Sequence, residues 1–323
     1  MAAQEAVNDI MFCNEERCAG VCGGDLDLCE QGFLGCDSVT SAEADVVYTN
    51  DNGDTWANAA VQPFDTDEDI ISVTCVRKDK DTTRWIVARG TAAANGEIAY
   101  SDDSGATWTT VDVESSGSNL FADDSGALFA LDFRHIWIAL TGGYISFSDD
   151  GGVSWTVQDA GVATTNDYHA IMLANKDIGY AVAESGVVVK TDDGGEQWAT
   201  VTAISGTPDL YSLYVFDENN LMVGDANGVI WYSDDAGASW TSLFTASAGS
   251  GINDMHFANR FVGMAIDGDD LYRTRNGGAD WETVTSLPAG TEYNAVYMCD
   301  SNQAFVVGEN SSNEGVVYRV AGY

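Results

Sequence analysis

Apolar residues alternate with polar ones through most of the chain, and the three-to-four-residue recurrence of an amphipathic helix is absent. YHAIMLAN at 168–175 alternates like a half-buried strand, and a polar turn leads to IGYAVAES at 178–185. GVVVKT at 186–191 follows, and WATVTAI leaves the next turn at 198–204. Runs of this length, bounded by Gly, Asp and Asn, predict four consecutive strands joined by short turns. The same order returns in SLYVFDENNLMVGDANGVIWYS from 212 and DMHFANRFVGMAIDGDDLYRT from 254.

The turn before the fourth strand is written six times: TNDNGDTW at 49–56, SDDSGATW at 101–108, SDDGGVSW at 148–155, TDDGGEQW at 191–198, SDDAGASW at 233–240 and TRNGGADW at 274–281. Aligned, these read [ST]-x-[DN]-x-G-x-x-W, and their tryptophans lie 52, 47, 43, 42 and 41 residues apart. That period is one four-stranded propeller blade, so the pattern predicts an all-β propeller of antiparallel blades. The ends are uneven: 46–61 supplies two strands around a box, and 293–320 supplies three strands without one. Pairing the ends in one composite sheet would close the ring, because closure removes open edges. Five whole blades and the composite make six, with a seventh if the cysteine-rich segment supplies strands. The expected division is an appendage over 1–40 and a propeller over 41–323.

The octapeptide resembles the Asp-box, or BNR, repeat of bacterial-type sialidases, sortilin-like receptors and photosystem II assembly propellers, over roughly 46–323. Residue chemistry assigns it a structural task. The Ser101 hydroxyl and Asp103 carboxylate can hold nearby backbone N–H groups, Gly105 permits a positive φ, and Trp108 buries a large ring. The same roles fall to Asp51, Gly53 and Trp56, to Asp150, Gly152 and Trp155, and to Asp193, Gly195 and Trp198. They fall also to Asp235, Gly237 and Trp240, and to Asn276, Gly278 and Trp281. A calcium loop is the alternative, but the D-x-D-x-D-G spacing and distal Glu are missing, and Arg275–Asn276 replaces the acidic pair. No metal is expected at the boxes, and no cofactor anywhere.

Charge narrows the partners. Thirteen Lys+Arg against 51 Asp+Glu give a formal net charge of −38, which repels phosphate backbones and anionic membrane surfaces and excludes nucleic acid as a partner. No run approaches the roughly 18 apolar residues of a membrane span, and MAAQEAVNDIMF lacks the basic and apolar regions of a signal peptide. Neither membrane insertion nor export by that route is expected. With 45% apolar residues the chain can nevertheless bury a sizeable core.

Catalytic candidates are sparse. A sialidase needs three arginines around a carboxylate, but the nine arginines (17, 77, 84, 89, 134, 260, 273, 275 and 319) are scattered, and the family's opening Arg-Ile/Leu-Pro segment is missing. His135, His169 and His256 share no short spacing, and no serine sits in G-x-S-x-G. Two acidic loops, around Asp65, Asp67 and Asp69 and around Asp267, Asp269 and Asp270, read as solvated turns. Tyr144 and Trp231, if exposed on one rim, would favour ligand binding. The chain is expected not to be an enzyme.

Cys13, Cys18, Cys22, Cys29 and Cys36 crowd a Gly-rich segment too poor in apolar residues to form its own core. Disulfides are expected there, with a metal or free thiols as alternatives, since tight C-x2-C pairs are absent and five is odd. Cys75 and Cys299 read as small buried hydrophobes on different faces of equivalent strands. Taken together, a very acidic ring with a stapled head resembles, in layout, the accessory propellers of tailed-bacteriophage virions. That resemblance implies a non-catalytic interaction protein of a virion or other extracellular particle, partnered by protein subunits of a larger assembly. A surface propeller binding cell-surface glycan or protein, and a glycosidase, are the alternatives. A photosystem assembly role is disfavoured, given the scarcity of basic residues and the lack of a targeting segment.

Overall fold

A computed structural model describes residues 7–13, 31–36, 46–51, 53–64, 70–79, 82–89, 97–113, 126–159, 166–246, 250–285, 287–288, 291–312 and 315–321. Among these, helix is confined to two 3-10 turns, Thr141–Gly143 and Glu184–Gly186. Six four-stranded antiparallel sheets follow one another along the chain, and a three-stranded sheet completes the set. Blade 1 comprises Val7–Cys13, Gln31–Cys36, Val46–Thr49 and Ala57–Asn58; blade 2, Ile70–Arg77, Thr83–Arg89, Glu97–Ser101 and Thr109–Asp112. Blade 3 comprises Ala127–Ala130, Ile136–Ala139, Tyr144–Ser148 and Thr156–Asp159; blade 4, Tyr168–Leu173, Gly179–Ala183, Val188–Thr191 and Ala199–Thr200. Blade 5 comprises Leu210–Val215, Leu221–Asp225, Val229–Ser233 and Thr241–Thr245; blade 6, Asp254–Phe257, Gly263–Ile266, Leu271–Thr274 and Glu282–Thr283. The last sheet, blade 7, comprises Thr291–Met298, Gln303–Asn310 and Gly315–Ala321.

The first strand of each blade touches the first strand of the next, and that of blade 7 touches that of blade 1, so the ring closes. This is the expected all-β propeller of four-stranded antiparallel blades. The core lies between blades rather than within them. Tyr180 and Val182 of blade 4 pack on Leu213 and Val215 of blade 5, and Met264 and Ile266 of blade 6 on Val296 and Val306 of blade 7. Second strands are covered on both faces, so Trp85–Ala88, Ile136–Ala139 and Tyr180–Ala183 are buried at every position. This explains why they read as continuous apolar runs rather than as alternation.

Two expectations about the ends are corrected. The ends do not share a composite sheet: Val46–Thr49 pairs with Gln31–Cys36, with Phe33 opposite Tyr48, while 291–321 forms a sheet of its own. The described part of the cysteine-rich segment therefore does not stand off the ring. VNDIMFC and QGFLGC pair with each other as two strands of blade 1. Edge-to-edge hydrogen bonding and burial of Ile10 against blade 7 replace the core that this segment cannot build alone.

Cys13 and Cys36 each end one of these strands. Cys18, Cys22 and Cys29 lie outside the described residues. Cys75 and Cys299 are both disulfide-bonded, which corrects their reading as simple hydrophobes. Both are buried, and they flank blade 1 from either side: Cys75 packs with Val46, and Cys299 with Ile10 and Val47. Aligning equivalent strands could not reveal this, because the shared neighbour is the blade missed in the sequence.

Candidate functional site

The boxes come first, as the strongest sequence signal. In the turn at 101–108 the Ser101 hydroxyl donates to Asp103 Oδ1 (2.9 Å) and accepts from Gly105 N–H (2.9 Å), while Asp103 Oδ1 accepts from Thr107 N–H (2.8 Å). Asp51, Asp150, Asp193 and Asp235 hold their turns in the same way. Asn276 accepts from Asp280 N–H at 2.9 Å and returns its amide to the Asp280 carboxylate, an exchange that an aspartate could not make. Hydrogen bonding by Thr107 is the leading cause holding the Asp103 carboxyl below the usual range, and the Thr55 hydroxyl does the same for Asp51.

The motif as read left the residue before the tryptophan open. Yet Thr55, Thr107, Ser154 and Ser239 each donate a hydroxyl to the second carboxylate oxygen. The six box glycines all have positive φ, from +77° at Gly53 to +98° at Gly195. Only Trp198 among the box tryptophans is buried; Trp56, Trp108, Trp155, Trp240 and Trp281 are half-buried.

Several boxes also make a contact that no single repeat reveals: they rest on the outer segment of the blade before them, whereas Trp155 Nε1 donates to Gly152 O within its own box. Trp108 Nε1 of blade 2 donates to Val61 O beyond the last strand of blade 1 (2.8 Å), and Trp240 Nε1 of blade 5 donates to Thr202 O of blade 4 (2.7 Å). The glycines face the preceding blade too: Gly105 meets Ala59, Gly195 meets Gln158 and Gly237 meets Val201, while Gly278 meets Met222 of the second strand of blade 5 first and Leu243 beyond it. The boxes thus fasten turns and lock neighbouring blades together.

No arginine clamp is assembled among the described residues. Buried Arg84 lies over the Tyr100 ring at 4.1 Å, grips Asp102 through Nε and Nη2 (2.7 Å each) and donates to Gly151 O of blade 3. Its hydrogen bonds pull the Asp102 carboxyl down to about 2. Arg89 pairs with Glu97, Arg273 with Glu282, Arg260 with Asp217 and Arg319 with Asp54, all on separate parts of the ring. Arg134 donates to Asp149 O.

His135 sits beside Asp132 at 2.8 Å and stacks on Phe147, away from the other histidines. Asp267 is fully buried and takes the Asp270 N–H and the Tyr272 hydroxyl, so it fastens its own turn, and burial raises its pKa. Asp65, Asp67 and Asp69 lie outside the described residues. Among the described residues no cluster of His, Cys, Asp and Glu is placed to hold a metal. Trp231 gives its indole N–H to Asp225 and is half-buried, whereas Tyr144 remains 37% exposed, so the two do not form one rim.

What the ring does bring together is the mouth of its central channel. The first strands converge on a cavity of about 240 Å³ lined by His169, Tyr211, Ser212, Asn253, Asp254 and His256 among others. His169 and Tyr211 meet edge to face at 5.4 Å. Burial lowers the His169 pKa, against the pull of the Glu184, Asp167 and Asp209 carboxylates, so the ring is neutral at neutral pH amid negative charge. Two of those acids are held in place, Asp167 by Gly142 N–H (2.7 Å) and Asp209 by Ser185 N–H (2.9 Å). His256 is not spare: its Nδ1 accepts from Met298 N–H of blade 7 at 3.2 Å. The volume falls below the roughly 300 Å³ at which small-molecule pockets begin. It admits a side chain or two, not a buried sugar chain. Sequence reasoning missed this mouth because its residues stand on or beside the first strands of successive blades, far apart along the chain.

Residues 127–260 match the family described as photosynthesis system II assembly factor YCF48. No curated protein matches the chain. A structure of YCF48 bound to D1 peptide superposes with a TM-score of 0.71 at 15% identity, covering 100% of this chain and 95% of that one. YCF48 from Cyanidioschyzon merolae gives 0.71 at 15% identity, covering 99% and 97%. A GH74 xyloglucanase from Xanthomonas campestris gives 0.70 at 15%, covering 98% of this chain and 52% of the enzyme. At such identities the superpositions show the fold. The virion reading is corrected by this match: acidity and clustered cysteines describe a surface and a compartment, whereas the repeats over 127–260 match a family of assembly factors, the class that the sequence reading had disfavoured.

Proposed function

We propose that this chain is a non-catalytic propeller that binds a segment of another protein at its channel mouth and acts as an assembly factor of the YCF48 type. The observation carrying the reading is the narrow, aromatic and acid-rimmed mouth around His169 and Tyr211, taken with the family match over 127–260. A cavity of about 240 Å³ with a neutral imidazole, a phenol and the carboxylates of Asp167, Glu184 and Asp209 suits a lysine or arginine side chain presented by a peptide. Its cationic head would meet the carboxylates while its stem lay on the Tyr211 ring. The chain's formal charge of −38 steers basic segments toward it and repels acidic ones. Disulfides at Cys75 and Cys299 suit an oxidising compartment.

The test is binding of labelled peptides of graded charge to the full chain. Lysine-bearing peptides are retained and glutamate-bearing ones are not, and Tyr211→Ala weakens retention by about tenfold, the loss of roughly 1.4 kcal/mol. Indifference to peptide charge, or unaltered binding by Tyr211→Ala, would remove the mouth from the mechanism. Incubation with xyloglucan should release no reducing ends; release abolished by substituting a channel acid would make the protein a hydrolase instead.

A further inference from the structure

First strands of several blades share an irregularity at the channel mouth. In blade 4, Tyr168 and Ala170 stand opposite the consecutive residues Ala183 and Val182, so His169 is the extra residue of a β-bulge. Ile71 of blade 2, Tyr211 of blade 5 and Asn294 of blade 7 are extra in the same way. In blade 6 the Asn253 N–H bonds to Ile266 O (2.9 Å), although Ile266 already stands opposite Asp254. A bulge breaks the alternation of a strand and re-aims one side chain. Here the five side chains line one cavity, and all are half-buried.

Their chemistry differs around the mouth. Over blades 4 to 7 they form an arc of hydrogen-bonding groups held in contact. His169 meets Tyr211 at 5.4 Å, and the Tyr211 ring lies over Gly251, where a Cβ would come within 2.7 Å of it. The Asn253 amide reaches Tyr293 O at 3.4 Å, next to Asn294, and leaves its carbonyl oxygen unengaged among the described residues. The opposite wall is apolar: Ile71 covers Gly126, where a Cβ would meet its Cδ1 at 2.8 Å. The arc itself has two halves. Asp167, Glu184 and Asp209 act on His169 in the half made by blades 4 and 5. In the other half the Asp254 carboxylate is taken up by the N–H groups of Met255 (2.7 Å) and Val296 (2.8 Å), and Asn253 and Asn294 present carboxamides. A carboxamide pairs an acceptor with a donor in one plane, the complement of a peptide unit. A cation needs only carboxylates.

We propose that Asn253 and Asn294 bind the main chain of the partner segment beside its inserted basic side chain, so that the mouth takes an extended peptide rather than a free cation. The two halves of the arc then divide the work: blades 4 and 5 hold the charged head, blades 6 and 7 read the backbone that carries it. The Ile71 wall receives a small or apolar neighbouring side chain. This inference rests on the reading of the mouth as a site for a basic segment, and adds the residues that distinguish a peptide from its charge.

The test uses the full chain and a fluorescent Ala-Ala-Lys-Ala-Ala peptide blocked at both ends, beside versions singly methylated at each backbone nitrogen. Methylation at one or more nitrogens next to the lysine should weaken binding by about tenfold, because it removes a donor from the peptide unit. Asn253→Ala or Asn294→Ala should weaken the parent peptide by a similar factor and add nothing to the loss already caused by methylation, since the partner of that donor is gone. Cadaverine, which carries the charge without a peptide unit, should compete at least about tenfold less well than unlabelled parent peptide. Tyr211→Ala should weaken both. If the lysine peptide binds and Tyr211→Ala weakens it, yet every methylated peptide binds like the parent or cadaverine competes equally, the mouth holds a cation alone: the backbone contact is overturned and the site stands. A methylation effect undiminished in both asparagine variants would give that contact to other residues and overturn the proposal. Absence of saturable binding of the lysine peptide would overturn it together with the reading of the mouth.

Discussion

At the scale of single residues, each box is a small hydrogen-bonded device whose parts differ in importance. Ser101 is buried, and its hydroxyl is the acceptor for the Gly105 N–H, so Ser101→Ala strands a buried donor. It should cost about 1–3 kcal/mol, read as a lower denaturant midpoint at unchanged slope. A change in the same device should stabilise. Ala236 precedes the box glycine at φ +60°, where boxes 3, 4 and 6 carry Gly151, Gly194 and Gly277 at positive φ. Ala236→Gly should relieve strain of about 1 kcal/mol, partly offset by the freer unfolded chain, and so raise the midpoint slightly. The fixed letters of the motif were legible because chemistry demands them at every copy. The seventh position was not, since Thr55, Thr107, Ser154 and Ser239 act through a hydroxyl that Gln197 and Asp280 lack.

At the scale of elements, the strands follow from alternation and the turns from the boxes, but contacts between blades leave little trace in any one repeat. Arg84 is the clearest case: it belongs to the second strand of blade 2, yet its Nη1 donates to Gly151 O of blade 3 at 2.6 Å. The Asp102 carboxyl that it holds has its pKa depressed to about 2, below the usual 3.8 of an aspartate. The stability from this pair is therefore fully present above pH 4 and drains away as the pH falls toward 2. Arg84→Met should flatten the acid limb of the stability curve between those limits. At the channel mouth the dependence falls at higher pH. The His169 pKa is lowered by burial from 6.5, so the ring gains its proton below its ordinary value. Peptide binding by the mouth should hold from neutral pH down to that point and then weaken, as the new positive charge repels a basic side chain. His169→Gln should abolish that particular fall while leaving affinity at neutral pH close to that of the parent.

At the scale of the whole molecule, closure decides what the ends do, and here sequence reading was weakest. The strands VNDIMFC and QGFLGC lie among glycines, acids and cysteines and carry no box between them, so periodicity could not register them as half a blade. Only the ring makes sense of them. Among the described residues the seam between blade 7 and blade 1 includes Ile10, Val47, Tyr297 and Phe305 packing together, and the Arg319–Asp54 pair. Cys75 and Cys299 stand on either side of blade 1 and are both in disulfides, so reduction acts where the ring closes. The loss should be about 2–5 kcal/mol per bond, the range for native disulfides. Reduction of the full chain should therefore lower Tm by many degrees, with the earliest amide exchange in Val46–Thr49 and Thr291–Met298, whereas blades 4 and 5 stay protected to higher temperature. A thermal transition unmoved by reduction would place closure in the apolar seam alone and leave the cysteines without a share in holding the ring shut.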